Sequence, residues 1–327
     1  MQRLQNLRIP AMRVWKMLKD SYGRIIDYAR ISLTDKCNMR CRYCMPEEGI
    51  RTRSHEELLK FEEIYLLLEI FKELGIRKFR FTGGEPFIRR NAMDFFENLN
   101  IGEFYITTNL SSKNLDIARL NNLNLGGLNV SLDTLNPEKY KWLTRGWDLE
   151  PVIKNLRNLR VKNVKLNAVV IKDFNEDEIN PLIDFANEIG ATMRFIEKMD
   201  FLKDNLKRAP VDKIRKNLID KNFISEKEIT PKSSPAVYHQ QISGKGKVGF
   251  ILPVSKSFCA TCNRIRVTFD GRIKLCLFAE KSVNLRDMLR DGKGKDEIKK
   301  ILLQAVLAKS RAPKIESQTE TMSAIGG

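Results

Sequence analysis

The chain has 327 residues, 42% of them hydrophobic, so it is long enough for one large α/β domain or two ordinary ones. No apolar run reaches the roughly 18 residues of a membrane span, and we therefore expect no transmembrane helix. The formal net charge of +17 favours a polyanionic partner, either nucleic acid or a nucleoside triphosphate, but charge spread along the whole chain does not decide between them.

The first regular element is expected at Tyr28. Residues 1–27 are predicted as a basic N-terminal extension. Its first 19 residues contain no acidic residue and are typical of a mobile basic arm, with a transit-like segment as the alternative. Further along, apolar runs predict six short strands at 28–33, 77–82, 104–108, 128–132, 164–170 and 192–196.

Helices are predicted between these strands. Ser54 and Glu57 form an S-x-x-E capping box, which predicts the start of a buried helix that continues to about Leu74. Further helices are predicted from about residue 91, from 148 to 159 and from 179 to 189.

The alternation of strands and helices predicts the fold class. It indicates an α/β fold of parallel βα units, and six strands rather than eight predict a partial (β/α)6 barrel. The segment after residue 200 lacks this rhythm. We therefore expect residues 28–200 to form the barrel and residues 201–327 to form a C-terminal domain across its opening.

A loop directly after the first strand holds three cysteines with the spacing C-x3-C-x2-C: Cys37, Cys41 and Cys44. Zinc normally has four protein ligands, or three and a water. Three thiolates without a neighbouring fourth ligand favour a cubane iron–sulfur cluster with one open iron. A structural zinc knuckle and buried thiols are the alternatives.

A second trio stands far downstream with the spacing C-x2-C-x13-C: Cys259, Cys262 and Cys276. A second cluster with an open iron is favoured, and a zinc site completed by His239 is the strongest alternative. Arg264 and Arg266 alternate beside it, so on a strand both would point the same way and suit a phosphate-rich ligand. No small disulfide scaffold is visible, which fits a reducing, cytoplasmic location.

Residues that could take part in binding or catalysis follow the predicted strands. They should meet at one rim, because active sites of βα barrels lie at the carboxyl ends of the strands. Gly83 and Gly84 would let a ligand approach bare backbone, the alternative being a simple turn before Pro86. Tyr43 would contact an adenine or serve in packing. The other rim residues are Thr108, Asn109, Ser131, Asp133, Lys165, Asn167 and Met199; Thr108 and Asp133 have no assigned role.

Several motifs together resemble the GTP 3′,8-cyclases of molybdenum cofactor biosynthesis, a family of radical S-adenosylmethionine (SAM) enzymes. The resemblance runs from about Tyr28 to the last residue and rests on both cysteine motifs and on residues 82–86, 107–109, 129–133, 194–197, 258–266, 283–287 and 326–327. This chain departs from the family at Leu110, where the family usually has Gly, and residues 1–27 match no family motif.

The resemblance implies two [4Fe–4S] clusters, one on each cysteine trio, the first binding SAM and the second binding the guanine through its open iron. It implies SAM contacts from Tyr43, Gly84, Ser131 and Met199. It also implies GTP contacts from Arg30, Arg80, Thr107, Lys165, Arg264, Ile265 and Arg266. Three of these residues, Arg30, Arg264 and Arg266, are also implied to serve in catalysis.

The implied reaction begins with reductive cleavage of SAM, after which a 5′-deoxyadenosyl radical takes hydrogen from C3′ of GTP. Ring closure at C8 then gives (8S)-3′,8-cyclo-7,8-dihydroguanosine 5′-triphosphate. The implied partners are an electron donor of unknown identity, the downstream cyclic pyranopterin monophosphate synthase and a second copy of the chain, with no nucleic acid and no membrane. The Gly326-Gly327 tail would reach into the site. The alternatives are a radical SAM enzyme that modifies a peptide and a zinc protein that binds nucleic acid.

Overall fold

The structure, a computed structural model, describes residues 17–50, 53–113, 115–202, 204–231, 233–244, 246–279, 281–312 and 322. In these ranges one sheet runs through the molecule in the order β12-β11-β10-β1-β2-β3-β4-β5-β6-β9-β8-β7. Its strands are β1 (Tyr28–Ser32), β2 (Lys78–Thr82), β3 (Phe104–Thr108), β4 (Leu125–Ser131), β5 (Lys165–Val170), β6 (Thr192–Glu197), β7 (Ile224–Glu228), β8 (Ala236–Gln241), β9 (Lys247–Ile251), β10 (Arg264–Val267), β11 (Arg272–Lys274) and β12 (Ser282–Asn284).

Helices connect the central strands and flank the ends of the sheet. They are α1 (Phe61–Glu73), α2 (Ala92–Glu97), α3 (Ile117–Asn122), α4 (Pro137–Thr144), α5 (Glu150–Asn158), α6 (Ile179–Glu188), α7 (Val211–Asp220), α8 (Leu285–Arg290) and α9 (Lys295–Leu307). Within the described ranges, no helix is long and apolar enough to cross a bilayer.

Strands β1 to β6 are neighbours in chain order, and each adjacent pair is parallel. This confirms the predicted partial barrel, because parallel neighbours joined by helical crossovers are the repeating unit of that fold. The strand alternation also divides the sheet into two faces. On β2, Phe79 and Phe81 are fully buried in the hydrophobic core, where Phe81 packs against Phe96 of α2, and Lys78 and Arg80 line a cavity on the other face.

The segment after residue 200 joins the barrel sheet at both of its edges. β9 pairs parallel with β6, and β10 pairs parallel with β1. Antiparallel partners follow on the outside, β8 and β7 beyond β9, and β11 and β12 beyond β10. That this segment forms a separate domain across the opening, with a boundary after residue 200, stays a prediction.

The capping box at Ser54 does not begin the long helix. The side chain of Glu57 accepts from Ser54 N at 2.9 Å, and the box encloses only a single 3-10 turn. α1 begins separately at Phe61, so the prediction of one helix from Ser54 was wrong at its start.

The short helices α3 and α4 were not predicted. Asp116 and Asn136 precede them, and each side chain accepts from two backbone amides of the following turn. These N-caps, the second followed by a proline, are the sequence signal that would have found both helices.

The N-terminal extension is folded from its first described residues. Leu18 and Ile26 are fully buried, and Lys19 forms an antiparallel bridge with Ile25. Arg24 pairs with Asp20 at 2.5 Å and donates to the carbonyl oxygen of Cys259 at 2.5 Å. Residues 17–27 therefore belong to the folded body, in contrast to the predicted extension. Residues 1–16 lie outside the described ranges.

The turn after β3 contains a strained leucine. Leu110 has a φ of 58°, in the left-handed region that favours glycine, and its side chain is fully buried. Its backbone N–H donates to the Thr108 hydroxyl at 2.9 Å, and its carbonyl accepts from Asn155 at 3.0 Å. The chain thus keeps a glycine-like turn with a leucine, whose burial offsets the backbone strain.

Two substitutions separate these opposing contributions to stability. Leu110→Ala loses the buried side chain but keeps the strain, and we expect it to lower the free energy of unfolding by about 2–5 kcal/mol. Leu110→Gly loses the same side chain but relieves the strain, so it is expected to be more stable than Leu110→Ala by about 1 kcal/mol. Denaturant titration measures both values.

Leu120, also fully buried but located in α3, provides the control. There the glycine variant should be less stable than the alanine variant by about 1 kcal/mol, because glycine disfavours helix. If the alanine variant were more stable than the glycine variant at both positions, the proposed backbone strain at Leu110 would be wrong.

Candidate active site

A cavity of about 710 Å³ lies on the inner face of the sheet. All six cysteines line it, as do the residues that follow strands β1 to β6. The two cysteine trios are far apart in the sequence, so the pairing of β1 with β10 is what brings them to one cavity.

The first trio lies in a tight loop directly after β1. Backbone N–H groups of Cys44 and Met45 both donate to the carbonyl oxygen of Cys41, at 2.9 and 3.0 Å. Burial, with a smaller contribution from Glu85, raises the pKa of Cys37 to about 12, and burial raises the pKa of Cys41 as well. These thiols therefore ionise readily only beside a strong positive partner such as iron.

The two glycines after β2 pack against this loop. Gly84 N donates to Thr34 O at 2.7 Å, and Glu85 N donates to Lys36 O at 2.8 Å. A Cβ added to Gly84 would lie 2.1 Å from Lys36 O, which leaves no room for any side chain. The backbone segment just before Cys37 thus occupies the space that the missing side chains of these glycines leave open. Gly84 also lines the cavity.

Glu85 connects the glycine turn to the end of β3. Its carboxylate accepts from the Thr108 hydroxyl at 2.8 Å and from Asn109 N at 2.7 Å, and it is fully buried. Burial raises the Glu85 pKa to about 7 against these hydrogen bonds. Asn109 Nδ2 in turn lies 3.6 Å from Cys37 Sγ. Thr108 thus has a role that the sequence did not assign, which is to hold the turn beside Cys37.

Asp133, the other rim residue without an assigned role, orients Tyr43. The Tyr43 hydroxyl donates to Asp133 Oδ2 at 2.8 Å, and Val169 N donates to Asp133 Oδ1 at 2.7 Å. The aromatic ring between the last two cysteines of the first trio is therefore fixed by the ends of β4 and β5.

The structure brings the four predicted SAM residues together on the cavity wall: Tyr43, Gly84, Ser131 and Met199. Two buried polar atoms nearby, Thr82 Oγ1 and Asn129 Oδ1, have no hydrogen-bond partner among the described residues. Both residues line the cavity, as expected of groups that face a ligand.

Two rows of side chains cross the neighbouring strands β10, β1 and β2 in register. One row is Arg266, Arg30 and Arg80; the other is Arg264, Tyr28 and Lys78. All six side chains line the cavity. We call them the guanidinium row and the tyrosine row.

Other residues assigned to GTP lie on both faces of the sheet. Thr107 and Lys165 line the cavity with the two rows. Ile265 is fully buried in the hydrophobic core, because the alternation that turns Arg264 and Arg266 inward turns it to the opposite face. Its position does not support a contact from its side chain, so any contact with GTP would come from its backbone.

Three polar residues that line the cavity were not identified as candidate site residues from the sequence: Tyr28, Lys78 and Arg194. Lys78 alternates with Arg80 on β2 as Arg264 alternates with Arg266 on β10, so the same periodicity could have identified it.

The cavity wall carries an excess of positive charge. Burial, and then the nearby Arg194 and Arg80, lower the pKa of Lys165 to about 8. Burial lowers the pKa of Arg266 to about 10, and the charge of Arg264 acts in the same direction. Cations that repel one another in a buried site are suited to a ligand with several negative charges.

The second trio is anchored by two cations. Arg24 donates to the carbonyl oxygen of Cys259, and Lys309 donates to the carbonyl oxygen of Leu275, next to Cys276. Beside the trio, Arg264 lies over the Phe258 ring at 5.2 Å. These contacts tie the loops of the trio to the N-terminal segment and to the end of α9.

His239, the proposed fourth zinc ligand, is engaged elsewhere. It is fully buried on β8, where Nδ1 donates to Ser225 O at 2.7 Å and Nε2 lies 3.3 Å from the Arg215 guanidinium. Its position therefore does not support a Cys3His zinc site. Within the described ranges, no group of three His, Cys, Asp or Glu side chains is close enough to hold a single metal ion.

The donor chemistry of both trios fits iron–sulfur clusters. Each trio offers three free cysteines on one cavity wall, and thiolates are the usual ligands of such clusters. The Gly326-Gly327 tail lies outside the described ranges. Met322, a described residue shortly before it, lines the cavity.

The sequence matches two family models. Residues 31–186 match the Radical SAM superfamily, and residues 191–315 match Molybdenum Cofactor Synthesis C.

Curated relatives match over most of the chain. The GTP 3′,8-cyclase of Syntrophomonas wolfei subsp. wolfei is 39% identical over 89% of this chain and 92% of its own length. The GTP 3′,8-cyclase of Alkaliphilus oremlandii is 38% identical over 95% of this chain and 100% of its own length. Molybdenum cofactor biosynthesis protein 1 of Mus musculus is 38% identical over 94% of this chain, which spans 50% of the mouse protein.

Solved structures share the fold at low sequence identity. Streptococcus suis SuiB bound to S-adenosylmethionine has a TM-score of 0.59 at 16% identity, covering 89% of this chain and 71% of that chain. Native anSMEcpe with bound AdoMet has a TM-score of 0.56 at 18% identity, covering 86% and 84%.

Proposed function

Because the chain belongs to the GTP 3′,8-cyclase family of radical SAM enzymes, we propose that the described cavity is where it converts GTP to the 3′,8-cyclised dihydro-GTP, the first step of molybdenum cofactor biosynthesis. One observation carries the proposal. A single cavity is lined by both cysteine trios and by the cations of the guanidinium and tyrosine rows. It thus combines two sites suited to clusters with one site suited to a polyanion.

The first trio, with SAM, supplies the radical chemistry when its [4Fe–4S] cluster is bound. Around it, Tyr43 is fixed by Asp133, and we assign its ring to packing against the adenine. Gly84, Ser131 and Met199 complete the SAM side of the wall. The loop itself is held by backbone hydrogen bonds from the glycine turn, so the chain orients SAM through rigid, buried elements.

The cations bind and orient GTP. The guanidinium row presents three positive charges to the phosphates, and one of them, Arg80, already donates from Nε to the Tyr28 hydroxyl and from Nη1 to Ile106 O. We assign Arg30, Arg264 and Arg266 to charge stabilisation during catalysis as well. Thr107 and Lys165 add a hydroxyl and an ammonium group. The second trio would hold a [4Fe–4S] cluster, which would supply a binding site for the guanine next to Arg264 and Arg266. Positioned cations on adjacent strands would bring the ribose of GTP to one fixed place relative to SAM.

A stacked aromatic pair connects the two sides of the cavity. Phe201, shortly after Met199, stacks on Phe278, shortly after Cys276, with ring centroids 5.7 Å apart and an interplanar angle of 6°. Both rings line the cavity. The pair keeps water from one side of a site whose chemistry requires its exclusion.

The remaining partners follow from the family. We propose a one-electron donor for the first cluster, delivery of the product to a cyclic pyranopterin monophosphate synthase, and a homodimer. A radical SAM enzyme acting on a peptide is the alternative, and the inward-facing cations favour a polyanion over a peptide.

The test is anaerobic. The protein is reconstituted with iron and sulfide, mixed with SAM and a strong reductant, and assayed for 5′-deoxyadenosine with GTP, with ATP and without nucleotide. We expect GTP to stimulate cleavage and to yield a cyclised product. Cys41→Ala, which lacks one ligand of the first trio, should abolish the signal. SAM cleavage that is indifferent to GTP would reject the proposed substrate.

A further inference from the structure

Tyr28 lies in the middle of the tyrosine row. The strand register places Arg264 on one side of it and Lys78 on the other. The Arg264 guanidinium carbon and the Lys78 ammonium each lie 5.3 Å from the centroid of the Tyr28 ring. Arg80 donates from Nε to the Tyr28 hydroxyl at 2.7 Å. The residue is 8% exposed, so water screens little of this charge.

The groups of the sheet that interact electrostatically with Tyr28 are cations and one further phenol. They are Arg30 on β1, Lys78 and Arg80 on β2, Tyr105 on β3, Lys165 on β5, Arg194 on β6, and Arg264 and Arg266 on β10. Asp27, the adjacent carboxylate in the sequence, accepts from Asn263 at 2.6 Å.

The cations make Tyr28 a strong acid for a tyrosine. Burial alone would raise its pKa, but the charges of Arg80, Arg30, Arg264 and Lys78 outweigh burial and lower the pKa to about 7. At pH 8 the substrate-free site therefore holds mostly a Tyr28 phenolate, which serves as the counter-ion of the surrounding cations.

We propose that binding of the substrate triphosphate is coupled to uptake of a proton by Tyr28. The inference rests on the proposed function, because it takes the two rows as the triphosphate site. The triphosphate brings several negative charges to the cations that stabilise the phenolate, so the phenolate is repelled. It takes one proton from solvent, an O–H bond forms, and Arg80 continues to donate to the neutral hydroxyl.

The direction of the pH dependence follows from this coupling. Substrate raises the pKa of Tyr28, so binding includes no proton uptake below the substrate-free pKa of about 7. Above it, the enzyme must gain a proton in order to bind. We expect Tyr28 alone to raise the Kd for GTP by up to about tenfold per pH unit between pH 7.5 and pH 9, in addition to any contribution from Lys165, so the slope should be shallower in Tyr28→Phe than in wild type.

Calorimetry measures the proton directly. Reconstituted, anaerobic protein is titrated with GTP at pH 8 in HEPES and in Tris, whose ionisation enthalpies differ, and the difference in binding heat gives the number of protons taken up. Lys165, with a pKa of about 8, also gains part of a proton. The Tyr28 contribution is therefore the difference between wild type and Tyr28→Phe, expected to approach about one proton.

Tyr105→Phe is the matched control. Tyr105 also lies beside cations, with Lys78 at 4.3 Å from its ring centroid, but burial and Glu103 raise its pKa, so it stays protonated. This variant should keep the wild-type proton uptake. Circular dichroism and iron content confirm that each variant is folded and loaded.

The possible results are distinct. Equal proton uptake in wild type and Tyr28→Phe overturns the inference and leaves GTP as the substrate. A wild-type Kd that does not change between pH 7.5 and pH 9 also overturns it, without any variant. Failure of the wild type to bind GTP at all rejects the proposed function and the inference with it.

Discussion

Arg266→Ala is expected to lower kcat/KM for GTP by about 10²- to 10³-fold. Arg266 is 9% exposed, lines the cavity and lies in the middle of the wall between Arg30 and Lys274, its partners in register. Truncation of a buried charge that binds an opposite charge typically costs about 2–5 kcal/mol, and the expected loss lies in the middle of this range. The predicted SAM residues lie outside β10, in the loops after β1, β2 and β6 and at the end of β4, so we expect the Kd for SAM to change by less than about twofold.

Two further variants define the cause. Arg266→Lys keeps the charge but loses the planar fork, and should fall between wild type and alanine. Arg272→Ala removes the same charge from neighbouring β11, where Arg272 pairs with Asp270 at 2.9 Å, and should leave GTP turnover almost unchanged. Wild-type GTP affinity in Arg266→Ala would contradict the placement of the triphosphate on the guanidinium row.

Gly84→Ala is expected to prevent assembly of the first cluster. The added Cβ would lie 2.1 Å from Lys36 O and 2.7 Å from Asp35 O, both backbone atoms that cannot move independently of Cys37. The segment before Cys37 must therefore shift, and SAM cleavage should fall below detection. The second trio does not depend on this contact, so the variant should retain about half of the iron of the two clusters.

Gly294→Ala is the control, because Gly294 has an ordinary φ of −68° and open space at its Cβ position. It should keep full iron and activity. Iron analysis and electron paramagnetic resonance distinguish the two clusters. A Gly84→Ala protein with both clusters and normal SAM cleavage would show that the loop adapts without displacing Cys37.

The barrel could be predicted from the sequence because each of its strands has a local signal. Apolar runs and the residues that follow them are properties of short segments, and the βα rhythm then implies parallel neighbours. The partners at the two edges of the sheet could not be predicted in this way. Which strand pairs with β1 depends on contacts between distant segments, and β10 carries no mark of its partner.

The candidate site shows the same division. Cysteine spacing indicated both trios, since ligand number and distance along the chain are visible in the sequence. The cation rows were only partly predicted, because a row exists only once the register of three strands is known. Tyr28 was missed for this reason. The placement of Ile265 on the core face, in contrast, follows from an alternation that is already present in the sequence.

The pairing of β1 with β10 has a consequence for synthesis of the chain. On the ribosome, β1 emerges long before its edge partner, since Tyr28 pairs with Arg264. Until then β1 presents an open row of backbone donors and acceptors, which in a nascent chain invites association with other strands. Charged side chains on an edge strand oppose such association. We therefore expect Arg30, which we propose to bind substrate in the finished enzyme, to protect the unfinished chain from aggregation.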